Sequence, residues 1–225
     1  AHQSLDVLNV DTHDVEFLRD YGAEMFVELA RFWAGLSQLN PETGRYEISG
    51  VMGPDEFHEK YPGADSGGLK DNAYTNIMVA WLLRATAQVL TLIGPEAQQR
   101  VAAATGLEDE ESAAWAGIAA GLNLCFSDDG VLEQFDGYFQ LEDLDWDAYR
   151  QKYGSIGRMD RLLKAEGKSP DHYKVAKQAD ALMPFFVLPD HELGTIPSSL
   201  GYDPGPGLLR HSFDYYLERT SHGST

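Results

Sequence analysis

The stretch from Gly50 to Asn76, GVMGPDEFHEKYPGADSGGLKDNAYTN, places an acidic turn directly before a long helical pattern. Its glycines permit backbone angles that other residues avoid, and Pro54 fixes one dihedral, so the turn has a defined shape. The turn carries three carboxylates: Asp55, Glu56 and Glu59. Shaped loops often present catalytic carboxyl groups. By itself, however, the pattern favours a solvated acidic turn that leads into a helix.

Helical patterns lie on both sides of this turn. Asp71 or Asn72 begins a helix that we predict to run to about Ile93, where Gly94-Pro95 ends it. Upstream, Asp14 is the predicted N-cap of a helix that reaches about Leu39. That helix carries apolar residues at steps of three and four, which we interpret as its core face. They are Leu18, Tyr21, Met25, Leu29, Phe32 and Leu36.

The rest of the chain continues the helical pattern with few extended segments. Further helices are predicted from Pro95 to about Thr105, from Asp109 to about Leu122, over 158–166, from Ser169 or Asp171 to near Pro184, and from Leu208 to about Glu218. Alternation predicts extended structure over 45–49 and 130–141, and glycines and prolines predict loops over 60–68 and 189–207. The predicted fold class is all-α with minor extended segments.

Composition limits the function classes that the chain fits. Of its 225 residues 43% are hydrophobic, which is enough for a substantial core, and the formal net charge is -19. This charge argues against nucleic acid as a partner, because phosphates would be repelled. No apolar run reaches membrane-spanning length and no signal-peptide pattern opens the chain, so we expect no membrane association and a cytoplasmic location.

Metal and cofactor signals are weak. Cys125 is the single cysteine, so an internal disulfide is impossible, and we interpret it as a buried, inert thiol. His58-Glu59 begins like a zinc-protease helix, but the second histidine is missing, so we predict no metal site. The chain also lacks a glycine-rich nucleotide-binding motif.

Three blocks in order resemble glycoside hydrolase family 65. The first joins GVMGPDEFHE to DNAYTN within 50–76, the second is Ala-Lys-Gln-Ala-Asp over 176–180, and the third is Arg-Thr-Ser-His-Gly-Ser-Thr over 219–225. That family contains inverting maltose, trehalose and kojibiose phosphorylases and some trehalose hydrolases. The resemblance implies that residues 1–225 are a portion of one (α/α)6-barrel catalytic domain, since the chain has about half the helices that such a barrel needs.

The resemblance also implies roles for individual residues. Glu56 matches the proton donor, and Asp55, Glu59 and Phe57 around it would help it to retain a proton. Lys177 and Gln178 match contacts to the glucosyl ring. The C-terminal block matches a phosphate cradle: His222, Gly223, Ser224 and Thr225. No cofactor is implied, and inorganic phosphate is the co-substrate.

The leading hypothesis is phosphorolysis of an α-linked glucose disaccharide with inversion, which gives β-glucose 1-phosphate and glucose. A phosphorylase needs an anion site where an inverting hydrolase needs a second carboxylate to activate water. Two alternatives stay open: an inverting α-glucoside hydrolase and a non-catalytic helical sugar-binding module. A portion of a barrel should also expose apolar surface, so we expect homo-oligomers.

Overall fold

The computed structural model describes residues 15–203 and 205–221, and this part of the chain is mostly helical. The helices are α1 (Val15–Phe17), a π-helical turn (Leu18–Gly22), α2 (Ala23–Leu36), α3 (Ala73–Ile93), α4 (Pro95–Thr105), α5 (Asp109–Gly121), α6 (Trp146–Tyr153), α7 (Met159–Ala165), α8 (Pro184–Val187), α9 (Asp190–Ser199) and α10 (Leu208–Leu217). Short 3-10 turns occupy Tyr138–Gln140, Pro170–His172 and Asp180–Leu182. The mainly helical class that the sequence predicts is confirmed.

Three short strands form one small sheet. They are β1 (Ser37–Leu39), β2 (Tyr46–Val51) and β3 (Leu69–Lys70), in the order β1-β2-β3. β2 and β3 are antiparallel, with Ser49 opposite Lys70 and Val51 opposite Leu69. The register shifts between these two pairs, at Gly50, whose φ of 77° is one that glycine adopts without strain. The sheet therefore sets the direction in which the chain enters the acidic turn.

The chain forms two compact units. Of the described residues, the first contains 15–47, 76–123 and 187–203, and the second contains 48–75, 124–186 and 205–221. The first unit holds α2, most of α3, α4, α5 and α9. The second holds the acidic turn, the 176–180 block and the described start of the third block, so these three segments belong to one packing unit.

In the first unit, α2 packs against α4 and α5. Ala23 and Ala30 are fully buried on one face of α2, together with Phe26 and Val27. An ion pair ties α2 to α5, since Arg31 Nε lies 2.7 Å from Glu111 Oε1 and Arg31 Nη2 donates to Glu111 Oε2 at 3.0 Å.

The apolar stripe that the sequence analysis assigned to the core is mostly exposed, so that prediction is wrong. Leu18 is buried, but the rest of the stripe faces outward on the opposite side of the helix, Tyr21, Met25, Leu29 and Phe32 being exposed and Leu36 half-buried. Helix α2 therefore has two apolar faces, and the alanine-rich one packs. The predicted N-cap, Asp14, lies outside the described residues.

Helix α3 agrees with its predicted limits and is buried around most of its circumference. Asn72 is its N-cap, because the Oδ1 atom accepts the N–H of Thr75 at 3.0 Å. By length and composition α3 is apolar enough to cross a membrane, but 61% of its most apolar window is buried inside the protein, as in a core helix. The predicted helices α4, α5, α7 and α10 are also confirmed.

Three predicted segments differ from the structure. The 130–141 stretch is mainly turns, with one bridge from Phe126 to Leu132 and a 3-10 turn. Its backbone bonds to separate segments instead of one partner strand, since Asp136 donates to the Lys70 carbonyl and Gln134 accepts the Ala73 N–H. The helix predicted to end near Pro184 is absent, since Ser169 caps only a 3-10 turn. The 189–207 loop contains α9, which includes Pro197.

The core of the second unit is a cluster that spans the acidic turn and the segments after it. Phe57 packs there with five buried side chains from later in the chain: Leu144, Tyr149, Met159, Leu163 and Val175. α10 packs on the 3-10 turn at Asp180–Leu182, and the Tyr216 hydroxyl donates to the Leu132 carbonyl at 2.8 Å. The acidic turn is thus anchored from below by an apolar side chain.

The two faces of α2 give opposite expectations for substitution. Phe26→Ala should lower the free energy of unfolding by roughly 3–5 kcal/mol, because Phe26 is 7% exposed and truncation leaves a cavity. Phe32→Ala should cost less than about 1 kcal/mol, because Phe32 is 59% exposed. Urea unfolding of the 225-residue chain measures both values. Equal losses would mean that the stripe is covered in solution, for example by a second copy.

Candidate active site

The acidic turn approaches the 176–180 block so closely that a glycine is required at the contact. A β-carbon on Gly53 would overlap the Asp180 carboxylate and the Asn72 side-chain amide. Any other residue would push these groups apart. Gly53 is therefore required because its backbone lies against the Asp180 carboxylate, and not because the turn needs a flexible residue.

The carboxylate of Asp55 binds backbone from two distant parts of the chain. It accepts the N–H of Glu56 at 2.8 Å, the N–H of Lys177 at 3.1 Å and the N–H of Gln178 at 3.2 Å. Asp55 is 7% exposed, so these bonds lie out of water. An ionised carboxylate can only accept hydrogen bonds, and here all its identified donors are backbone groups.

Asp180 in turn accepts a hydrogen bond from the backbone of Asp55. Its Oδ1 atom accepts the Asp55 N–H at 2.7 Å, and its Oδ2 atom accepts the Asn72 side-chain N–H at 2.7 Å. Asp180 is 2% exposed. Since Asn72 also caps α3, the acidic turn, the 176–180 block and the start of the longest helix are joined in one buried network.

The two buried aspartates have perturbed acidities. Burial raises the pKa of Asp55 to about 7; the Gln178 N–H opposes this shift and the neighbouring Asp180 carboxylate adds to it. Burial raises the pKa of Asp180 to about 6, against the opposing hydrogen bond from Asn72. From the sequence, Asp55 is expected only to help Glu56 to retain a proton, and no role is assigned to Asp180. The signal for the pair was the glycine at position 53, which implies a close approach.

Glu56 points outward from this network and pairs with Lys177, whose side chain is only 14% exposed. Lys177 Nζ lies 2.6 Å from Glu56 Oε1. The Glu56 side chain is 62% exposed, and Phe57 packs into the core cluster below it. The expectation that Phe57 would shield Glu56 from water is therefore wrong, because consecutive residues of this turn point in different directions.

The second and third blocks lie side by side. Ala176 donates its N–H to the Arg219 carbonyl at 2.8 Å and accepts the Ser221 N–H at 2.9 Å, which makes a parallel bridge. The start of the third block therefore lies beside Ala176, the residue that precedes Lys177 in the chain. Gln178 donates its backbone N–H to Asp55, and its side chain is exposed. The four predicted phosphate contacts, His222, Gly223, Ser224 and Thr225, lie outside the described residues.

The remainder of the turn is held by Asp171. Its Oδ1 atom accepts the N–H of Glu59 at 3.0 Å and that of Lys60 at 3.4 Å. His58 is buried and bonds through Nε2 to the Tyr173 carbonyl at 3.0 Å, and burial lowers the pKa of its ring. The whole turn is therefore fixed by backbone-to-side-chain bonds with the 171–180 region.

One group of side chains has the spacing of metal ligands in the described part of the chain. Ligand atoms of Cys125, Glu133 and Asp136 lie within 4.8 Å of one another. Glu133 already accepts the Phe139 N–H at 2.8 Å, and Asp136 lies 3.5 Å from Lys70 Nζ. These protein partners account for the carboxylates, so we assign no metal there.

The raised pKa values of Asp55 and Asp180 predict how the stability of the fold depends on pH. A carboxyl whose pKa is higher in the folded state stabilises the fold most below its unfolded value, near 3.8, and loses this contribution as pH rises through the folded value. The contribution of Asp55 and Asp180 to the free energy of unfolding should therefore fall between about pH 4 and pH 7. His58 contributes in the opposite sense below its ordinary pKa of 6.5, because burial lowers the pKa of its ring in the folded state. Asp55→Asn should make that fall shallower. An identical slope in the variant, measured by urea unfolding across this range, would remove Asp55 from the effect.

Comparison with known proteins gives relatives along nearly the whole chain. An uncharacterised glycosyl hydrolase of Mycobacterium tuberculosis is 45% identical over 214 residues, which is 95% of this chain and 16% of that protein. The trehalose 6-phosphate phosphorylase of Lactococcus lactis is 42% identical over 214 residues, 95% of this chain and 26% of that protein. The kojibiose phosphorylase of Halothermothrix orenii is 29% identical over 221 residues, 95% of this chain and 25% of that protein.

A solved structure has the same fold over this region. It is described as a putative kojibiose phosphorylase from the human microbiome, and it matches 95% of this chain and 26% of its own chain with a TM-score of 0.69 at 22% identity. The chain thus spans about a quarter or less of the length of the relatives it matches. The family model for the glycosyl hydrolase family 65 central catalytic domain matches residues 7–225. This chain belongs to glycosyl hydrolase family 65.

Proposed function

We propose that the protein of which these residues form part is a cytoplasmic disaccharide phosphorylase. It cleaves an α-linked glucose disaccharide with inorganic phosphate and releases β-glucose 1-phosphate, with inversion at the anomeric carbon. Residues 1–225 supply a portion of its (α/α)6-barrel domain, with Glu56, Lys177 and Gln178 at the sugar and the 222–225 segment at phosphate. No cofactor or metal takes part.

One observation carries the proposal: the acidic turn, the 176–180 block and the start of the third block meet within one unit. Lys177 contacts Glu56 at 2.6 Å and is adjacent to Ala176, which pairs with Arg219 and Ser221. Phosphorolysis needs an acid on one side of a sugar and an anion site on the other. The segment that resembles a phosphate cradle follows Ser221, which is bonded to Ala176 beside Lys177, and this proximity supports the proposal.

The reaction follows from that arrangement. Glu56 donates its proton to the glycosidic oxygen as the bond to the anomeric carbon breaks. A phosphate oxygen attacks the same carbon from the opposite face, so the new bond has inverted configuration. Before the proton transfer, Lys177 leaves the Glu56 carboxylate to bond to sugar hydroxyl groups, and Glu56 takes up from solvent the proton that it later donates. The exposed Gln178 side chain also bonds to sugar hydroxyl groups. No second carboxylate is needed, since phosphate is already an anionic nucleophile.

The relatives guide the choice of substrates. Named relatives are phosphorylases of trehalose 6-phosphate, kojibiose and trehalose, and identity is 42% with the first against 29% with the second. The substrate panel is therefore maltose, trehalose, kojibiose and trehalose 6-phosphate. With trehalose 6-phosphate, the second product would be glucose 6-phosphate in place of glucose.

Sugar release by the full-length protein should require phosphate. We expect β-glucose 1-phosphate, identified by NMR, with one substrate of the panel and no cleavage when phosphate is omitted. Equal cleavage without phosphate would assign the protein to the hydrolases, because water would then be the nucleophile. Calorimetric binding of a disaccharide without any turnover would indicate a sugar-binding module.

Glu56→Gln should reduce kcat by roughly 100- to 10,000-fold, because the amide cannot donate the proton that the leaving oxygen needs. α-Glucosyl fluoride has a leaving group that needs little protonation, so the variant should lose much less activity with it.

A matched control is Glu42→Gln, which changes an exposed glutamate of a turn and should behave as the wild type. An equal loss of activity with the disaccharide and the fluoride would contradict the acid role of Glu56. Full activity of Glu56→Gln would assign the acid role to another residue.

A further inference from the structure

Asp55 and Asp180 are buried carboxyl groups that the proposed reaction does not use. Neither side chain reaches the surface that Glu56 and Lys177 occupy, since Asp55 is 7% and Asp180 2% exposed. Buried carboxyl groups are costly to desolvate and are kept where their bonds compensate for that cost. Each of these two makes several such bonds, so their role is to be found in what those bonds hold.

The bonds of Asp55 hold the two residues that carry the proposed chemistry. Its carboxylate accepts the backbone N–H of Glu56 at 2.8 Å and the backbone N–H of Lys177 at 3.1 Å. The α-carbons from which the acid and its partner extend are therefore fixed relative to one carboxylate. Their side chains meet at 2.6 Å although the residues are 121 positions apart.

Asp180 fixes Asp55 in turn. It accepts the Asp55 N–H through one oxygen and the Asn72 amide through the other, both at 2.7 Å. Asn72 uses its side-chain oxygen to cap α3 by accepting the Thr75 N–H. A series of hydrogen bonds thus runs from the N-terminus of α3, through Asn72 and Asp180, to Asp55. From Asp55 it continues to the backbone of Glu56 and Lys177.

We propose that Asp55 and Asp180 are positioning residues for the reaction: they hold Glu56 and Lys177 at a fixed separation by binding backbone N–H groups, and Asn72 orients Asp180 for this task. The inference rests on the proposed function for its kinetic consequence. Displacing a catalytic group by about 1 Å can reduce the rate by roughly 100-fold, so the loss of either carboxylate should appear in kcat.

An exchange of Asn72 and Asp180 tests the bond between them. With Asp180→Asn alone, the amide oxygen can keep the Asp55 N–H only if the new NH2 group faces the NH2 group of Asn72. With Asn72→Asp alone, two carboxylates face each other. In the double variant, the amide introduced at position 180 can donate to the carboxylate introduced at position 72 and can still accept the Asp55 N–H. The introduced carboxylate can also still cap α3. Complementarity is therefore restored only when both positions are changed.

In the full-length protein, each single variant should lower kcat by roughly 10- to 100-fold, with a smaller change in the KM for phosphate. The double variant should recover most of the loss. Asp147→Asn, which changes an aspartate that is 86% exposed and paired with Arg150, is the matched control and should keep wild-type activity. Single variants with wild-type kcat, or a double variant no better than the poorer single one, would overturn the proposal.

Amide hydrogen exchange of the unaltered full-length protein supplies a test that needs neither a folded variant nor turnover. The N–H groups of Glu56, Lys177 and Gln178 should exchange at least about tenfold more slowly than the exposed Asp65 and Ser66. Exchange at the rate of exposed loops would overturn the proposal even if phosphorolysis is found. Slow exchange without phosphorolysis in the unaltered protein would reject the proposed function and leave the positioning geometry supported.

Discussion

The constraint on which the rest of the site depends is a carboxylate that binds backbone from two ends of the chain. Asp55 accepts N–H groups from its own turn and from residues 122 and 123 positions later. Because this happens in a buried place, water cannot replace the donors. The two segments must therefore stay together for the carboxylate to keep its hydrogen-bond donors. This places Glu56 and Lys177 close enough for their side chains to pair.

The same constraint accounts for the composition of the acidic turn. Gly53 must lack a β-carbon so that Asp180 and Asn72 can approach, and Phe57 must be apolar because it enters the core cluster. Between them, Asp55 points inward and Glu56 outward. Each residue of this short stretch therefore has a different environment. Gly53 lies against Asp180, Asp55 accepts buried N–H groups, Glu56 is exposed and Phe57 packs in the core cluster.

The arrangement also separates rigid parts from reactive parts. The backbone of the turn is bonded to Asp171 and Asp180, and its origin is tied to the capped end of α3. Sites built on fixed elements keep their geometry better than sites on free loops. The side chains of Glu56 and Gln178 are exposed on this fixed backbone.

The sequence by itself determined the long helices and the order of the three blocks. The cap of α3 and the boundary between α3 and α4 are local signals, since Asn72, Gly94 and Pro95 act through the backbone next to them. The three blocks were recognisable because each is a short run of residue types. Neither result required knowledge of what packs against what.

Tertiary structure decided which faces are buried and which acids pair. On α2, the face that carries Ala23 and Ala30 is buried within the described residues, whereas the stripe of larger apolar side chains is exposed there. Helix α9 forms although Pro197 argues against it. Asp55 and Asp180 become a pair only when segments far apart in sequence meet, and no periodicity encodes that meeting. Local signals act over a few residues, whereas burial and carboxylate pairing depend on distances that only the folded chain sets.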